Sequence, residues 1–430
     1  MHRHRGRGRH HGQVVGRRRG NRRRSGGRRL QPFALGGHGR HRQPRGVNLT
    51  LADVLPSVAT ALGTPVRAHD DPPGGELALE PARRAVVVLL DGLGEQLLAR
   101  RGGHAPFLRG LRESAGPDAN GTGAVRCGFP STTATSLAML GTGRLPGRHG
   151  LVGLDVLDPD RGVLFSELAW DPAVDPRVWQ PEATVFELLA ADGVEVVRVG
   201  PAYFDGSGLT EAVLRGGRFA AANALEDRVE ATLAALRAMG PGGRGLVYLY
   251  WGEIDKVGHV AGCESWQWGE ELEAADRALA RLADRLDRDT VMVITADHGM
   301  VDVPFESRLD LAHDRELAAG VQHVGGEPRA LHLYCRPGAE PDVLATWRTR
   351  LGDRFEILTR DQAITAGWFG PVHPRVVPRI GHVVASATGS WAVVDSRTAR
   401  RETLALLGLH GARTEAELRI PLLVTRGRVG

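Results

Sequence analysis

A chain of 430 residues with 42% hydrophobic content has room for one large α/β domain or two smaller ones, and its apolar runs are far too short to span a bilayer. Cys127, Cys263 and Cys335 are widely separated, which excludes a disulfide framework or a Cys-rich zinc ribbon and fits a reducing compartment. With no signal-type apolar core at the N-terminus, a cytoplasmic protein is expected.

The net charge of +5 misleads, because residues 1–46 hold fifteen of the 55 basic side chains and no acidic one. The rest carries 40 basic against 50 acidic residues, about −10, which argues against a nucleic-acid-binding face on the folded part. Lys256 is the one lysine in the sequence, so its arginine content reads as a codon bias. The low-complexity Arg/Gly/His segment 1–46 cannot bury enough apolar surface to fold. It could be an RNA- or membrane-binding arm, a histidine-rich metal tract, or non-coding sequence read through from a start placed too early. The abrupt change to amphipathic sequence at Val47 favours the last, and a disordered tail over 1–46 with a folded domain over 47–430 is expected.

Residues 47–80 read as a short helix and a Pro/Gly-rich connection. Arg84–Leu90 is a nearly continuous apolar run, the pattern of a strand buried on both faces. It ends at Asp91-Gly92-Leu93-Gly94, and a carboxylate at the carboxyl end of a central parallel strand lies where open α/β sheets build their sites. An Asx turn would give the same residue. Residues 95–115 have helical spacing of Leu97, Leu98, Leu108 and Leu111.

The segment Gly128-Phe129-Pro130-Ser131-Thr132-Thr133-Ala134-Thr135-Ser136 follows, leading into the apolar Leu137–Leu140 of a short helix. Ser131, Thr132 and Thr133 fall at or near a helix N-terminus, where free N–H groups and the helix dipole favour a developing alkoxide or a phosphate. Alone, the run reads as ordinary N-capping; the metal-ligand candidates after the apolar strands are what turn the reading toward chemistry. His149, before Gly150, reads as a structural turn histidine. Residues 155–225 alternate apolar runs and turns, with a strand over Val196–Gly200, and are where substrate-selecting loops are expected.

Gly245–Trp251 is a second buried strand, followed by Asp255 and His259, four apart and so on one face of a helical turn. A surface i,i+4 contact would look the same. A helix over 265–286 leads to a third strand, Thr290–Thr295, ending at Ala296-Asp297-His298-Gly299. Leu331–Cys335 reads as a strand, and Val383–Ala385 and Trp391–Val394 are expected to pair antiparallel. His410, before Gly411, is one more candidate ligand.

The inventory is Asp91, Thr133, Asp255, His259, Asp297, His298 and His410. Oxygen and imidazole donors without thiolate suit zinc, or less specifically manganese or iron. Seven groups are too many for one tetrahedral ion and about right for two divalent ions. Asp255, His259 and His410 form one set; Asp91, Asp297, His298 and the hydroxyl form the other. Two cations about 4 Å apart clamp the attacking and leaving oxygens of a displacement at phosphorus, and a threonine held by one is acid enough to attack.

In this order the segments D-G-L-G, F-P-S-T-T-A-T-S, D-x3-H, A-D-H-G and a late H-G resemble the alkaline phosphatase superfamily. They look most like its type I phosphodiesterase/nucleotide pyrophosphatase branch, over roughly residues 84–424. The resemblance implies an α/β fold, a three-layer sandwich with a mostly parallel central sheet and helices on both faces, and makes 47–430 a catalytic domain. It implies hydrolysis of a small phosphate ester, a phosphodiester or nucleotide pyrophosphate, through a phospho-threonine on Thr133 at a site of two zinc ions. Ligand roles carry over to Asp91, Thr133, Asp297 and His298 for one ion and to Asp255, His259 and His410 for the other. That branch continues from its nucleophile with Phe-Pro-Asn; here Ala134-Thr135-Ser136 stands instead, so Ser136 takes the place of the phosphoryl-binding Asn and the stacking Phe is lost. No C-x-P-x-R segment of a sulfatase begins at Cys127, and the inserted domain and Ser nucleophile of a cofactor-independent phosphoglycerate mutase are missing.

A phosphomonoesterase or phosphonate hydrolase shares the same core, and a monoesterase would add a cation from among Arg126, Arg144 and Arg148. A catalytically dead binding protein would lack a ligand, and none is missing. A nucleic-acid-binding protein would act through the tail.

Overall fold

The computed structural model describes residues 49–66, 76–115 and 123–428; the tail over 1–46 and the boundary at Val47 lie outside the described residues. Its centre is the Arg84–Leu90 strand, every residue of which is buried. Continuous Val and Leu with no polar alternation leaves neither face for water, so both faces must be covered. Parallel neighbours flank it on each side: Gly245–Trp251, with Leu90 opposite Trp251, and Thr290–Thr295, with Leu89 opposite Thr295. The strands Glu195–Gly200 and Arg218–Ala221 extend the parallel part outward from Gly245–Trp251.

On the other side Arg419–Arg426 adds antiparallel to Thr290–Thr295, and the short Ala124–Arg126 strand pairs with it in turn. The sheet thus has seven strands, mostly parallel. Parallel neighbours need long crossovers, and helices supply cover: Leu225–Ala238 packs on the strands Glu195–Gly200 and Gly245–Trp251, while Trp266–Asp284 packs on that helix. The region 95–115, expected as one helical stretch, is two helices, Glu95–Arg101 and Pro106–Ser114, with Gly102 and Gly103 between them. No helix among the described residues is long and apolar enough to cross a membrane, and the three cysteines are free and buried.

A second sheet was not foreseen. Six antiparallel strands run in the order Phe355–Thr359, Val383–Ala387, Ala330–Cys335, Val321–Glu327, Asp155–Asp158, Val163–Ser166. This corrects the expected pairing of Val383–Ala385 with Trp391–Val394. Val383–Ala387 lies between Ala330–Cys335 and Phe355–Thr359, whereas Ala392–Val394 pairs in parallel with Arg308–Asp310. All five residues of Val383–Ala387 are buried, so a central place with a neighbour on each edge satisfies it better than a two-stranded hairpin.

One ion pair ties the two sheets. Arg329, in the turn between Val321–Glu327 and Ala330–Cys335, donates from Nε and Nη2 to the two oxygens of Glu417 at 2.8 Å each. Glu417 precedes the Arg419–Arg426 strand of the main sheet and also accepts from Ala412 N at 3.0 Å. Both side chains are fully buried. Arg329 spends its remaining donors on the carbonyls of Gly389 and Trp391. Removing one charge of such a pair strands the other in a dry interior. Glu417→Gln should therefore lower the unfolding free energy by about 3 kcal/mol or more in denaturant titration; a loss under about 1 kcal/mol would mean the pair is dispensable.

Two histidines are built into the packing as neutral groups. His332 donates from Nε2 to Val152 O at 2.9 Å and accepts at Nδ1 from Gly381 N at 3.0 Å. Burial holds it down to about pKa 4. His149 accepts at Nδ1 from Leu151 N at 3.1 Å, and burial with the charges of Arg375 and Arg379 holds it down to about 3. In the unfolded chain both would take a proton near pH 6.5. Folding stability is therefore full above that value and falls as pH drops toward 4, by about 1.4 kcal/mol per pH unit for each histidine. His332→Gln, which keeps a donor for Val152 O, should flatten the stability–pH slope between pH 4.5 and 6 by about that amount. An unchanged slope would show that His332 is already charged in the folded protein.

Candidate metal and phosphoryl-transfer site

The level ends of three adjacent central strands place the acids. Asp91 follows Leu90, Asp255 lies in the first turn of the Glu253–Ala261 helix that follows Trp251, and Asp297 and His298 follow Thr295. Asp91 and Asp255 can come together because residue 92 has no side chain: a Cβ on Gly92 would sit 2.8 Å from Asp255 Cβ, and its φ of +74° is one that glycine adopts freely. His259 lies one turn beyond Asp255, its Nε2 3.3 Å from Asp255 Oδ2. His410 arrives from the far end of the chain. It follows Gly408–Leu409, which pairs with Val301–Asp302 just beyond His298. Ser131 holds the loop in place by donating to Ala412 O at 2.8 Å and accepting from Gly411 N at 3.1 Å.

The hydroxyl run meets this cluster at a helix start. Thr133 is the first residue of the Thr133–Thr142 helix, and the N-cap residue Thr132 makes no side-chain cap hydrogen bond. The run therefore does not serve as the expected capping alternative would have it. Thr133 Oγ1 lies 3.3 Å from His298 Nε2. Phe129, before the turn, packs edge-on against Trp368 with ring centroids 4.9 Å apart.

The histidines are oriented by backbone carbonyls, which can only accept. His259 Nδ1 donates to Gly408 O at 2.7 Å, His298 Nδ1 to Gly299 O at 3.1 Å, and His410 Nδ1 to Ser131 O at 2.9 Å. In each neutral ring the lone pair is then on Nε2, the arrangement found where imidazole binds a metal. His298 Nε2 faces Asp91 Oδ1 at 3.5 Å and Asp297 Oδ2 at 3.4 Å. Asp91 Oδ1, Asp255 Oδ1 and Asp297 Oδ2 are buried and have no hydrogen-bond partner among the described residues. The other oxygens are held: Tyr250 donates to Asp91 Oδ2, and Gly92 N and His298 N donate to Asp297 Oδ1 at 3.0 and 2.9 Å. The unpaired oxygens and the Nε2 atoms converge here, and a cation is what such a donor set fits.

Among the described residues, two groups have the reach to share an ion. Asp255, His259 and His410 offer ligand atoms within 4.8 Å of one another, and so do Asp91, Asp255 and His298. Asp255 thus stands at the seam of both, whereas the sequence placed it in one. The His298 and His410 rings stack at 3.8 Å. The electrostatics follow the crowding. Burial, then the charges of Asp297 and Asp255, push the Asp91 carboxyl well up. Burial also works to raise Asp255, but the imidazoles of His259, His410 and His298 outweigh it and hold that carboxyl low. Burial and neighbouring His298 hold His410 well down, as a neutral ring.

Ser136 is buried one turn after Thr133, and its Oγ has no partner. Arg126 and Arg144 are engaged elsewhere, with Glu415 at 2.7 Å and Glu182 at 3.1 Å. Beside Asp91, Thr133 and Asp255 opens a cavity of about 440 Å³ walled by Tyr203, Phe204, Phe219 and Tyr250. Sequence reading placed selecting loops in this region but named none of these residues. The available signal was the Tyr203-Phe204 pair directly after a strand exit.

Comparison with known proteins agrees with this architecture. The chain is 37% identical over 125 residues to the phosphopentomutase of Anaeromyxobacter sp. (strain K), and 36% identical over 152 residues to that of Anaeromyxobacter dehalogenans (strain 2CP-C). These stretches take in 28% and 34% of either partner, so the chain spans about a third or less of the curated relatives it matches. Among solved structures, murine ectonucleotide pyrophosphatase/phosphodiesterase 5 superposes with a TM-score of 0.62 at 20% identity, covering 80% of this chain and 88% of that one. Phosphonoacetate hydrolase from Sinorhizobium meliloti 1021, in complex with phosphonoformate, does so with a TM-score of 0.59 at 19% identity, covering 81% and 91%. At such identities the likeness is one of fold. Residues 85–413, most of the chain and the whole span from the Arg84–Leu90 strand to the His410 loop, match the model for type I phosphodiesterase/nucleotide pyrophosphatase, and the chain belongs to that family within the alkaline phosphatase superfamily.

Proposed function

We propose that the protein hydrolyses phosphate esters, phosphodiesters or nucleotide pyrophosphates before monoesters, through a covalent phospho-threonine on Thr133. The observation that carries this reading is the hydroxyl of Thr133 at a helix N-terminus, 3.3 Å from His298 Nε2, beside three buried carboxylates with unpaired oxygens. Asp255, His259 and His410 would hold one divalent cation, and Asp91, Asp297, His298 and Thr133 a second. Imidazole and carboxylate donors together suit zinc, or less specifically manganese or iron. Such ions lower the pKa of a bound hydroxyl and neutralise charge on phosphoryl oxygens.

Thr133 Oγ loses its proton to solvent and attacks phosphorus; the bond to the leaving oxygen breaks opposite, and that oxygen takes a proton from water. Water then attacks the phospho-threonine, the Oγ–P bond breaks and the hydroxyl is restored. The helix that begins at Thr133 points its free N–H groups at the phosphoryl oxygens, and Ser136 would donate where a longer Asn stands in relatives of this branch. The preference for diesters rests on the arginines. A monoester carries an extra charge, and none of the arginines near the nucleophile in sequence, Arg126, Arg144 and Arg148, lines the cavity; Arg126 and Arg144 are bound to carboxylates. The solved phosphonoacetate hydrolase keeps a phosphonate reading as the alternative.

Zinc-loaded protein should hydrolyse bis-p-nitrophenyl phosphate at least about tenfold faster than p-nitrophenyl phosphate, and Thr133→Ala should lose about a thousandfold or more of that rate. Activity surviving in the variant would assign the attack to Thr132 or to water. A faster monoester rate would move the protein to the phosphatase side.

The carboxylate cluster gives a second test independent of turnover. Adding zinc to chelator-stripped protein should raise its melting temperature, by about 2.7 kcal/mol of stabilisation at a hundredfold excess over Kd. Asp297→Asn should melt higher than wild type without metal, because one of three crowded charges is gone, and should lose most of the zinc response. A wild type that does not respond to any divalent cation would sink the cation-site reading.

A further inference from the structure

The cavity beside Thr133 has a polar feature at its wall that the proposed reaction leaves unused. Arg198 lies in the Glu195–Gly200 strand, is only 7% exposed, and lines this cavity. Among the described residues, its Nε and Nη1 have no hydrogen-bond partner. Burying a guanidinium without satisfying its donors is costly, and arginine stays charged throughout the physiological range. Glu211 and Asp205 bear on it from a distance, but Glu211 is paired with Arg177 at 3.3 Å. The nearest ring is Phe219, 5.7 Å from the guanidinium carbon.

Tyr248 stands opposite Arg198 in the parallel register of the neighbouring strand, lines the same cavity, and has a buried hydroxyl with no partner. Two residues on, Tyr250 donates to Asp91. One strand pair thus carries a chain of groups from the reacting centre, through Tyr250, to two unpaired donors, Arg198 and Tyr248. Donors without acceptors, set among aromatic walls, define the ligand: a flat or apolar body with an anionic oxygen group at one end.

We infer that Arg198, with Tyr248, binds a second anionic group, a carboxylate or a further phosphate, carried by a substituent of the phosphoryl substrate. Arg198 is thereby a specificity-determining residue that selects substrates bearing charge on both the phosphorus and its substituent. The inference rests on the phosphoryl-transfer reading of the neighbouring site.

The test compares three p-nitrophenyl phosphodiesters whose second arm is phenyl, 4-carboxyphenyl or 4-phosphophenyl, in wild type, Arg198→Met and Arg198→Lys. Methionine keeps bulk and removes the charge. In wild type, kcat/KM for at least one charged arm should exceed that for phenyl by tenfold or more, and whichever charged arm leads identifies the group. Arg198→Met should cut that preference at least tenfold, chiefly through KM, and Arg198→Lys should restore part of it. A preference that is absent in wild type, or unchanged in Arg198→Met, overturns the inference.

Calorimetric titration with 3-phenylpropionate and 3-phenylpropanol separates this inference from the catalytic one. Wild type should bind the acid at least tenfold more tightly than the alcohol, and Arg198→Met should bind them alike. If no diester is turned over but this discrimination holds, the reaction is wrong and the anion pocket stands. If diesters are hydrolysed and neither measurement depends on Arg198, the reaction stands and the pocket assignment falls.

Discussion

Three carboxylates and three imidazoles share one dry site, and the architecture of the protein answers the problem of holding them there. Desolvated like charges repel strongly, so all of these groups but Asp255 are fixed by a contact on the outward side while an inward atom is left bare. Tyr250 and two backbone amides grip the outer oxygens of Asp91 and Asp297. Carbonyls at residues 408, 299 and 131 hold the histidine rings. The backbone supplies most of these contacts, so the precision of the cluster is that of the strand ends and turns that carry it.

This explains how much was legible in the sequence. A buried parallel strand announces itself as an unbroken run of Val, Leu and Ile, and an acid directly after the run stands out against it. Asp91, Asp255 and the Asp297-His298 pair each follow such a run, and their order along the chain carried the family resemblance. His410 had no such frame. Its strand is two residues long, and it became credible only in the company of the others.

What escaped reading is equally physical. The six-stranded sheet pairs pieces as far apart in sequence as Asp155 and Gly326, and short runs such as Val383–Ala387 carry no mark of their partner. The expected hairpin of Val383–Ala385 with Trp391–Val394 followed sequence proximity, whereas burial on both edges decided the pairing. The cavity walls were invisible for another reason. Tyr203 and Phe204 lie in a short turn of helix and Phe219 in the edge strand Arg218–Ala221, and nothing in their spacing shows that they wall the cavity beside Thr133. Nor does a lone arginine in the strand Glu195–Gly200 reveal that two of its nitrogens find no partner.

The parts that would hold ions and the parts that would grip a substituent are drawn from separate stretches of chain. The former sit on strand exits braced by the backbone; the latter come chiefly from residues 198–219, between the helix that starts at Thr133 and the strand that precedes Asp255. Substitution in that interval can redraw the mouth of the enzyme while the reactive centre keeps its shape. A pocket rebuilt there would change which substituent is admitted and leave the groups on the strand exits where they are.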